Sequence, residues 1–89
     1  MTNYNAVHAP NHMVEENDFT HWCVDAKPTD SLCYYRGELS RNCERDRVLR
    51  AKADFVYKKY MKGTVCLVQK RLAKNDFLYF AVRTKEAYS

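Results

Sequence analysis

The spacing of apolar and polar residues predicts five elements along the 89-residue chain. Residues 43–62 carry apolar side chains at steps of three and four, which predicts one continuous amphipathic helix. A shorter helical pattern covers residues 19–26 and follows Asp18, a residue type that often caps helices. Alternating patterns predict three strands, over residues 31–39, 64–72 and 77–83. The last two strands form a hairpin, because Asn75 and Asp76 tolerate turn conformations.

The order α-β-α-β-β predicts an α+β domain, a three-stranded antiparallel sheet with one long helix packed on one face. A helix that leads into a long hairpin with a basic tip resembles the winged-helix class of DNA-binding domains. In that class one helix enters the major groove and the hairpin contacts the backbone or the minor groove. A standard winged helix has two helices joined by a tight turn before the hairpin. Residues 41–43 would have to supply that turn here; the alternative is a different sheet-plus-helix fold that shares the hairpin.

The ends of the chain show no periodic pattern. Residues 1–17 are rich in Asn and predict a flexible N-terminal arm, so the domain is expected to span residues 18–84, with residues 85–89 frayed. No apolar run reaches the roughly 18 residues that cross a bilayer. Residues 1–10 also lack the basic and apolar regions of a secretory signal. We therefore expect no membrane partner and a cytoplasmic location.

Two segments, KPTDSLCYYRGEL (27–39) and GTVCLVQKRLAKNDFLYFAVR (63–83), resemble small proteins encoded by phages and prophages. Those proteins carry a Lys/Arg-Pro-Gly-Asp turn, a Tyr-His-x-Gly-x-Leu strand, a helix and a Gly-x-Val-x-Leu-Val-Gln-Arg/Lys-Arg hairpin. The chain departs from this pattern at Thr29, where glycine is usual, and at Tyr35, where histidine is usual. The resemblance implies a phage origin and the cytoplasm of a host cell. It implies no settled activity and transfers no catalytic residues.

The net charge of +4 is the sum of two unlike parts. Residues 1–35 carry −4 and residues 36–89 carry +8, an asymmetry that favours a polyanionic partner. We therefore expect a nucleic-acid-binding regulator of duplex DNA. Its contacting side chains are expected to be Arg41, Arg45, Arg47, Arg50, Lys70, Arg71 and Lys74. Alternatively, these cations only solvate the surface, with Asp46 and Asp54 neutralising their arginine neighbours.

The aromatic content of 13% supports a second function, a protein-interaction module such as a phage inhibitor of a host enzyme or defence complex. Tyrosines are common anchors of interfaces. The candidates are Tyr34, Tyr35, Tyr57 and Tyr79. The alternative is that these rings simply form the core of a small domain. Exposed strand edges would also permit a homodimer.

Catalytic and metal-binding patterns are missing from the sequence. Two glycines form no phosphate loop and the carboxylates are scattered, so we expect no enzyme activity and no cofactor. The four cysteines form no C-x-x-C pair, and their spacing matches no common zinc template. We expect Cys33 and Cys66 to be small buried hydrophobes. His8 and His12 would suit a helical metal pair, but Pro10 between them argues against a helix.

Overall fold

A computed structural model describes residues 13–87 and gives a small α+β domain. The elements are α1 (Glu16–Asp25), β1 (Ser31–Gly37), α2 (Leu39–Cys43), α3 (Arg47–Met61), β2 (Val65–Ala73) and β3 (Asp76–Arg83). The three strands form an antiparallel sheet, as the sequence predicted. Among the described helices, none is long and apolar enough to cross a membrane. Most of the predicted arm, residues 1–12, and the C-terminal residues 88–89 lie outside the described part.

In place of the single helix predicted over residues 43–62, the structure has α3 and, before it, the short helix α2, whose first residue, Leu39, was predicted to end a strand. Asp46 has extended backbone angles and its Oδ1 accepts hydrogen bonds from the amides of Val48 (3.0 Å) and Leu49 (3.1 Å). This is the geometry of an N-cap, which satisfies amides that lack partners inside the helix. The prediction of a single helix is therefore wrong. The apolar spacing of α3 was read correctly, but the cap that separates it from α2 was not.

The sheet has the order β1-β3-β2, so β3 lies between the other two strands. A bulge between Cys33 and Tyr35 interrupts the pairing of β1 with β3. Because a bulge inserts an extra residue, it breaks the alternation of side chains. Tyr34 and Tyr35 are consequently both buried, although strict alternation along a strand would point them to opposite faces.

The helices cover one face of the sheet, the inner face. There Leu32, Tyr35, Val65 and Ala81 join a core with helix residues, which include Phe19, Trp22, Leu49 and Val56. The opposite, outer face follows the register Cys33–Phe80–Val68 and, within residues 13–87, carries no helix. Val68 is accordingly 50% exposed.

The folded domain begins earlier than the predicted boundary at residue 18. Met13 is 2% exposed and forms an antiparallel bridge with Tyr35, and the amide of Val14 donates to the carbonyl of Tyr34 (3.1 Å). Helix α1 then starts at Glu16. Residues 13–17 are thus part of the domain and not of an arm. Two adjacent apolar residues, Met13 and Val14, give no periodic signal from which this could be predicted.

Arg83 connects the end of α1 with the C-terminal segment through hydrogen bonds. Its guanidinium is buried and donates to the carbonyls of Cys23 (2.7 Å), Thr64 (3.3 Å), Thr84 (3.0 Å) and Glu86 (2.7 Å). Cys23 lies in the last turn of α1, which has no basic residue of its own. A cation at this position satisfies a free carbonyl and complements the helix dipole.

Candidate nucleic-acid interface

The start of α3 and the hairpin turn lie at the same end of the domain. Gly37, the last residue of β1, pairs with Phe77, directly after the turn that connects β2 and β3. The chain then enters α2, where the amide of Leu39 donates to the Tyr79 hydroxyl (3.1 Å). Asn42 donates through Nδ2 to the Tyr35 hydroxyl (2.6 Å). These bonds hold α2, and with it the start of α3, against the hairpin end of the sheet.

The arginines at the start of α3 are exposed and free of carboxylates. Arg45, Arg47 and Arg50 form no ion pair within residues 13–87. Asp46 uses its carboxylate to cap α3, so the expected pairing with Arg50 does not form. The positive charge at this position is therefore available to a ligand.

Arg41 differs from the other predicted cations of this region. Its Nε lies 3.5 Å from Oε1 of Glu38, so its charge is partly compensated. Exposed pairs of this kind contribute about 0–1 kcal/mol and are screened by salt. Arg41 is consequently the weakest of the seven candidates for an anion contact.

The hairpin tip carries a second group of cations. Lys70 and Lys74 are exposed and have no ion-pair partner in the described chain. Arg71 is also exposed, and its Nε donates to the Ala73 carbonyl at the bulge that ends β2 (3.4 Å). The turn is closed by Asn75 in the left-handed region, with φ of 60°.

Asp76, the acid next to this turn, is bound by Arg36. The guanidinium donates to both carboxylate oxygens, from Nε to Oδ1 (3.3 Å) and from Nη2 to Oδ2 (3.0 Å). This hydrogen bond and the charge of Asp76 raise the pKa of the Arg36 guanidinium. Because the Asp76 carboxylate is neutralised by Arg36, it does not offset the charge of the neighbouring lysines.

Asp54 dilutes the positive charge on α3. Burial raises the pKa of the Cys43 thiol, the charge of Asp54 raises it further, and Arg50 lowers it. The charges of Asp54 and Arg50 therefore both reach the Cys43 thiol, which lies where α2 meets α3. No direct ion pair joins Asp54 to Arg50 in the part of the chain described.

The four tyrosines that were predicted to bind a partner differ in their exposure to solvent. Tyr34 is 4% exposed and Tyr35 is fully buried, and burial raises the pKa of both hydroxyls. These two rings belong to the core and not to an interface, which corrects that prediction. Tyr79 is half-buried and accepts the α2 bond described above. Tyr57 remains on the surface, 52% exposed, with its ring centroid 5.6 Å from that of Tyr60.

The cysteines are all reduced thiols in the structure. Cys33 is buried, as expected, but Cys66 is exposed, so that prediction is wrong. Cys66 lies on the outer face of the sheet, and the apolar pattern of β2 did not show that this face lacks a helix. No group of three or more potential metal ligands occurs in residues 13–87. His8 and His12 lie outside the described residues.

The sequence analysis did not identify Arg83, or Val48 and Met61 among the exposed apolar residues of α3. Val48 and Met61 are large hydrophobic side chains that face solvent. Both residues lie outside the apolar stripe of α3, and this position in the sequence predicts that they are exposed. Arg83 ends an alternating strand, and nothing in that pattern predicts that it is buried.

Comparisons with protein-family models, with curated proteins and with solved structures find no significant match to this chain. The resemblance of residues 27–39 and 63–83 to phage-encoded proteins therefore stays a prediction. The case for a function depends on the geometry of the chain itself.

Proposed function

We propose that this protein is a small regulator that binds duplex DNA with the start of α3 and the tip of the β2–β3 hairpin. One observation carries the proposal. Two groups of exposed cations that have no carboxylate partner among residues 13–87 lie at one end of the domain, namely Arg45, Arg47 and Arg50 and, on the hairpin, Lys70, Arg71 and Lys74. Phosphate neutralisation by such side chains supplies most of the affinity of non-specific DNA binding.

The arrangement of the elements supports a winged-helix mode of binding. A five-residue helix, α2, precedes α3, and a short turn, residues 44–46, joins the two, which is the order of helices that this mode of binding uses. A hairpin follows directly and ends in a basic tip. We infer that α3 is the helix that enters the major groove and that the hairpin is the wing.

The two cation groups have different expected roles. Arg47 and Arg50 lie in the first turn of α3, and the N-terminal residues of a recognition helix contact base edges. An arginine there can donate two hydrogen bonds to guanine O6 and N7. Lys70 and Lys74 are suited to phosphate contacts, which fix the position of a protein on the duplex without reading its sequence.

Fluorescence anisotropy with a labelled duplex at 50 and 200 mM salt tests the proposal. Each phosphate contact should weaken binding by about 3.5-fold between these salt concentrations, because the logarithmic slope is about −0.9 per contact. Lys70→Ala with Lys74→Ala should reduce this slope by about two contacts. A matched control removes Lys27 and Lys85, which are exposed near the opposite end of the sheet. The absence of binding at about 100 µM protein and low salt would refute the proposal.

A second candidate function is favoured by the exposed side chains at the end of α3. Tyr57, Tyr60 and Met61 form a surface group beside Lys58 and Lys62, and tyrosines of this kind anchor protein interfaces. Inhibition of a host enzyme or defence complex would use this surface. Capture of one stoichiometric host protein that survives nuclease treatment, and is lost in Tyr57→Ala, would favour it over DNA binding.

A further inference from the structure

Strand β2 presents an open edge. The sheet order leaves β1 and β2 at the two edges, and the outer side of β1 is met by the bridge from Met13 to Tyr35. Within residues 13–87, no strand or bridge meets the outer side of β2. Residues 68–73 of this strand are exposed throughout. An edge of this kind has free backbone amides and carbonyls that can pair with another chain.

Of the features that normally protect a strand edge, β2 has the cations Lys70 and Arg71 and a bulge, all in its second half. The strand contains neither proline nor glycine, and its bulge lies at the distal end, between Arg71 and Ala73. In the first part of the strand, which follows α3, Cys66 and Val68 are exposed on the outer face. The first part of the strand can therefore accept both main-chain hydrogen bonds and apolar side chains.

The positive charge of β2 determines which kind of segment can pair with its open edge. Lys70 and Arg71 are adjacent and exposed, and no acidic residue occurs between Thr64 and Asn75. In a second copy of this chain, pairing along the same edge would place lysines and arginines from both copies on one sheet. Pairing in parallel register, or antiparallel about Lys70 and Arg71, would place these like charges directly opposite one another, which is unfavourable. A segment with acidic side chains pairs with the whole edge without this cost.

We propose that the edge of β2 accepts, as a fourth strand, an extended segment of a partner protein whose acidic side chains lie opposite Lys70 and Arg71 and whose β-branched side chains lie opposite Cys66 and Val68. Main-chain hydrogen bonds supply the affinity of such strand addition, and alternate side chains supply the specificity. The inference does not depend on DNA binding. It names the chemistry by which a protein partner is recognised at a site separate from the exposed tyrosines of α3.

A synthetic peptide tests the proposal directly. The fluorescein-labelled probe is acetyl-Glu-Asp-Thr-Ile-Thr-Val-Thr-amide, which matches residues 71 to 65 in antiparallel register, and its reversed sequence matches the parallel register. The orientation that fits should bind in an anisotropy titration. A peptide with lysines in place of both acids should bind at least tenfold more weakly. Equal binding of the acidic and lysine peptides would overturn the proposal, as would the absence of binding by both orientations.

Backbone methylation separates strand addition from simple charge attraction. Along an added strand, alternate amides face β2 and the others face solvent. Two versions of the probe carry N-methyl groups at odd or at even positions. Strand addition predicts that one version loses binding and that the other keeps more of it. If both versions bind like the parent peptide, the contact is electrostatic and the proposal is wrong.

Variants of β2 give an independent readout. Val68→Lys and Lys70→Glu should each weaken the acidic probe at least tenfold, whereas the exposed α3 variants Val48→Lys and Lys58→Glu should not. The Lys70→Glu variant should bind a probe that has lysine in place of its aspartate. Such binding would show that the variant is folded and that it loses the acidic probe because of its charge. Sedimentation must show a monomer. If the protein is a dimer and Val68→Lys dissociates it, the edge of β2 binds a second copy of the chain, and the proposal is wrong.

Discussion

Replacing Arg83 with methionine removes a buried guanidinium while retaining most of its aliphatic stem. The guanidinium donates to four carbonyls, of which those of Cys23 and Thr64 accept buried hydrogen bonds. Hydrogen bonds to charged groups contribute about 1.5–3 kcal/mol each, and a buried carbonyl left without a donor costs about 1–3 kcal/mol. Relief of the desolvation of the cation offsets part of this loss. We expect a net destabilisation of about 3–5 kcal/mol.

This loss is large for a chain of 89 residues. At roughly 0.05–0.15 kcal/mol per residue, the domain is expected to unfold with a free energy of about 4–13 kcal/mol. Urea denaturation followed by far-ultraviolet circular dichroism measures the change. Arg83→Lys keeps the charge but loses the planar donor geometry, and we expect it to fall between the wild type and Arg83→Met.

The exposed residue Lys85 supplies the matched control, because Lys85→Met removes a cation two positions away without a buried bond. That variant should remain within about 0.5 kcal/mol of the wild type. If Arg83→Met were as stable as Lys85→Met at an unchanged m-value, the carbonyl bonds would not hold α1 to the C-terminal segment. Hydrogen exchange should also become faster in the last turn of α1, where Cys23 lies.

Three further predictions concern the helix cap and the thiols. Asp46→Ala should lower the free energy of unfolding by about 1 kcal/mol in urea, because two amides of α3 lose their acceptor, whereas Asp54→Ala should change it little. Burial raises the pKa of the Cys23 thiol from 9.0 to about 11. The folded state therefore keeps a proton that the unfolded state releases, so stability should fall between pH 9 and 11 by up to about 1.4 kcal/mol per pH unit. A Cys23→Ala variant with the same pH dependence would contradict this reasoning. Ellman's reagent should label Cys66 rapidly in the native protein and Cys23 only on unfolding, and Cys66→Ser should abolish the rapid phase.

The fold class was accessible from the sequence because periodic spacing reports which face of an element is buried. Residues 44–46 are all charged, and charged residues are also common within helices, so the break between α2 and α3 was not visible in the pattern and depends on the local Asp46 cap. The bulge in β1 is equally local, and it determines that Tyr34 and Tyr35 enter the core together. Single hydrogen bonds and bulges leave no periodic pattern, which is why these features were missed.

The candidate site was predicted in its residues but not in its arrangement. The sequence identified the cations of α3 and the hairpin, and these side chains are exposed. That they lie at one end of the domain follows from the pairing of Gly37 with Phe77, two residues far apart in the chain. Whether nearby acids neutralise them also depends on geometry, since Asp46 caps a helix and Asp76 binds Arg36.

The position of β3 between the other strands has a consequence for synthesis of the chain. No strand other than β3 pairs with β1 or β2 in the described sheet, and β3 follows both of them in sequence. On a ribosome, the three-stranded sheet cannot form until residues 76–83 have emerged; until then β1 has only its bridge to Met13, and β2 has no partner strand. Folding should therefore be a late, single event, and nascent chains that end before Asp76 should be protease-sensitive along their whole length.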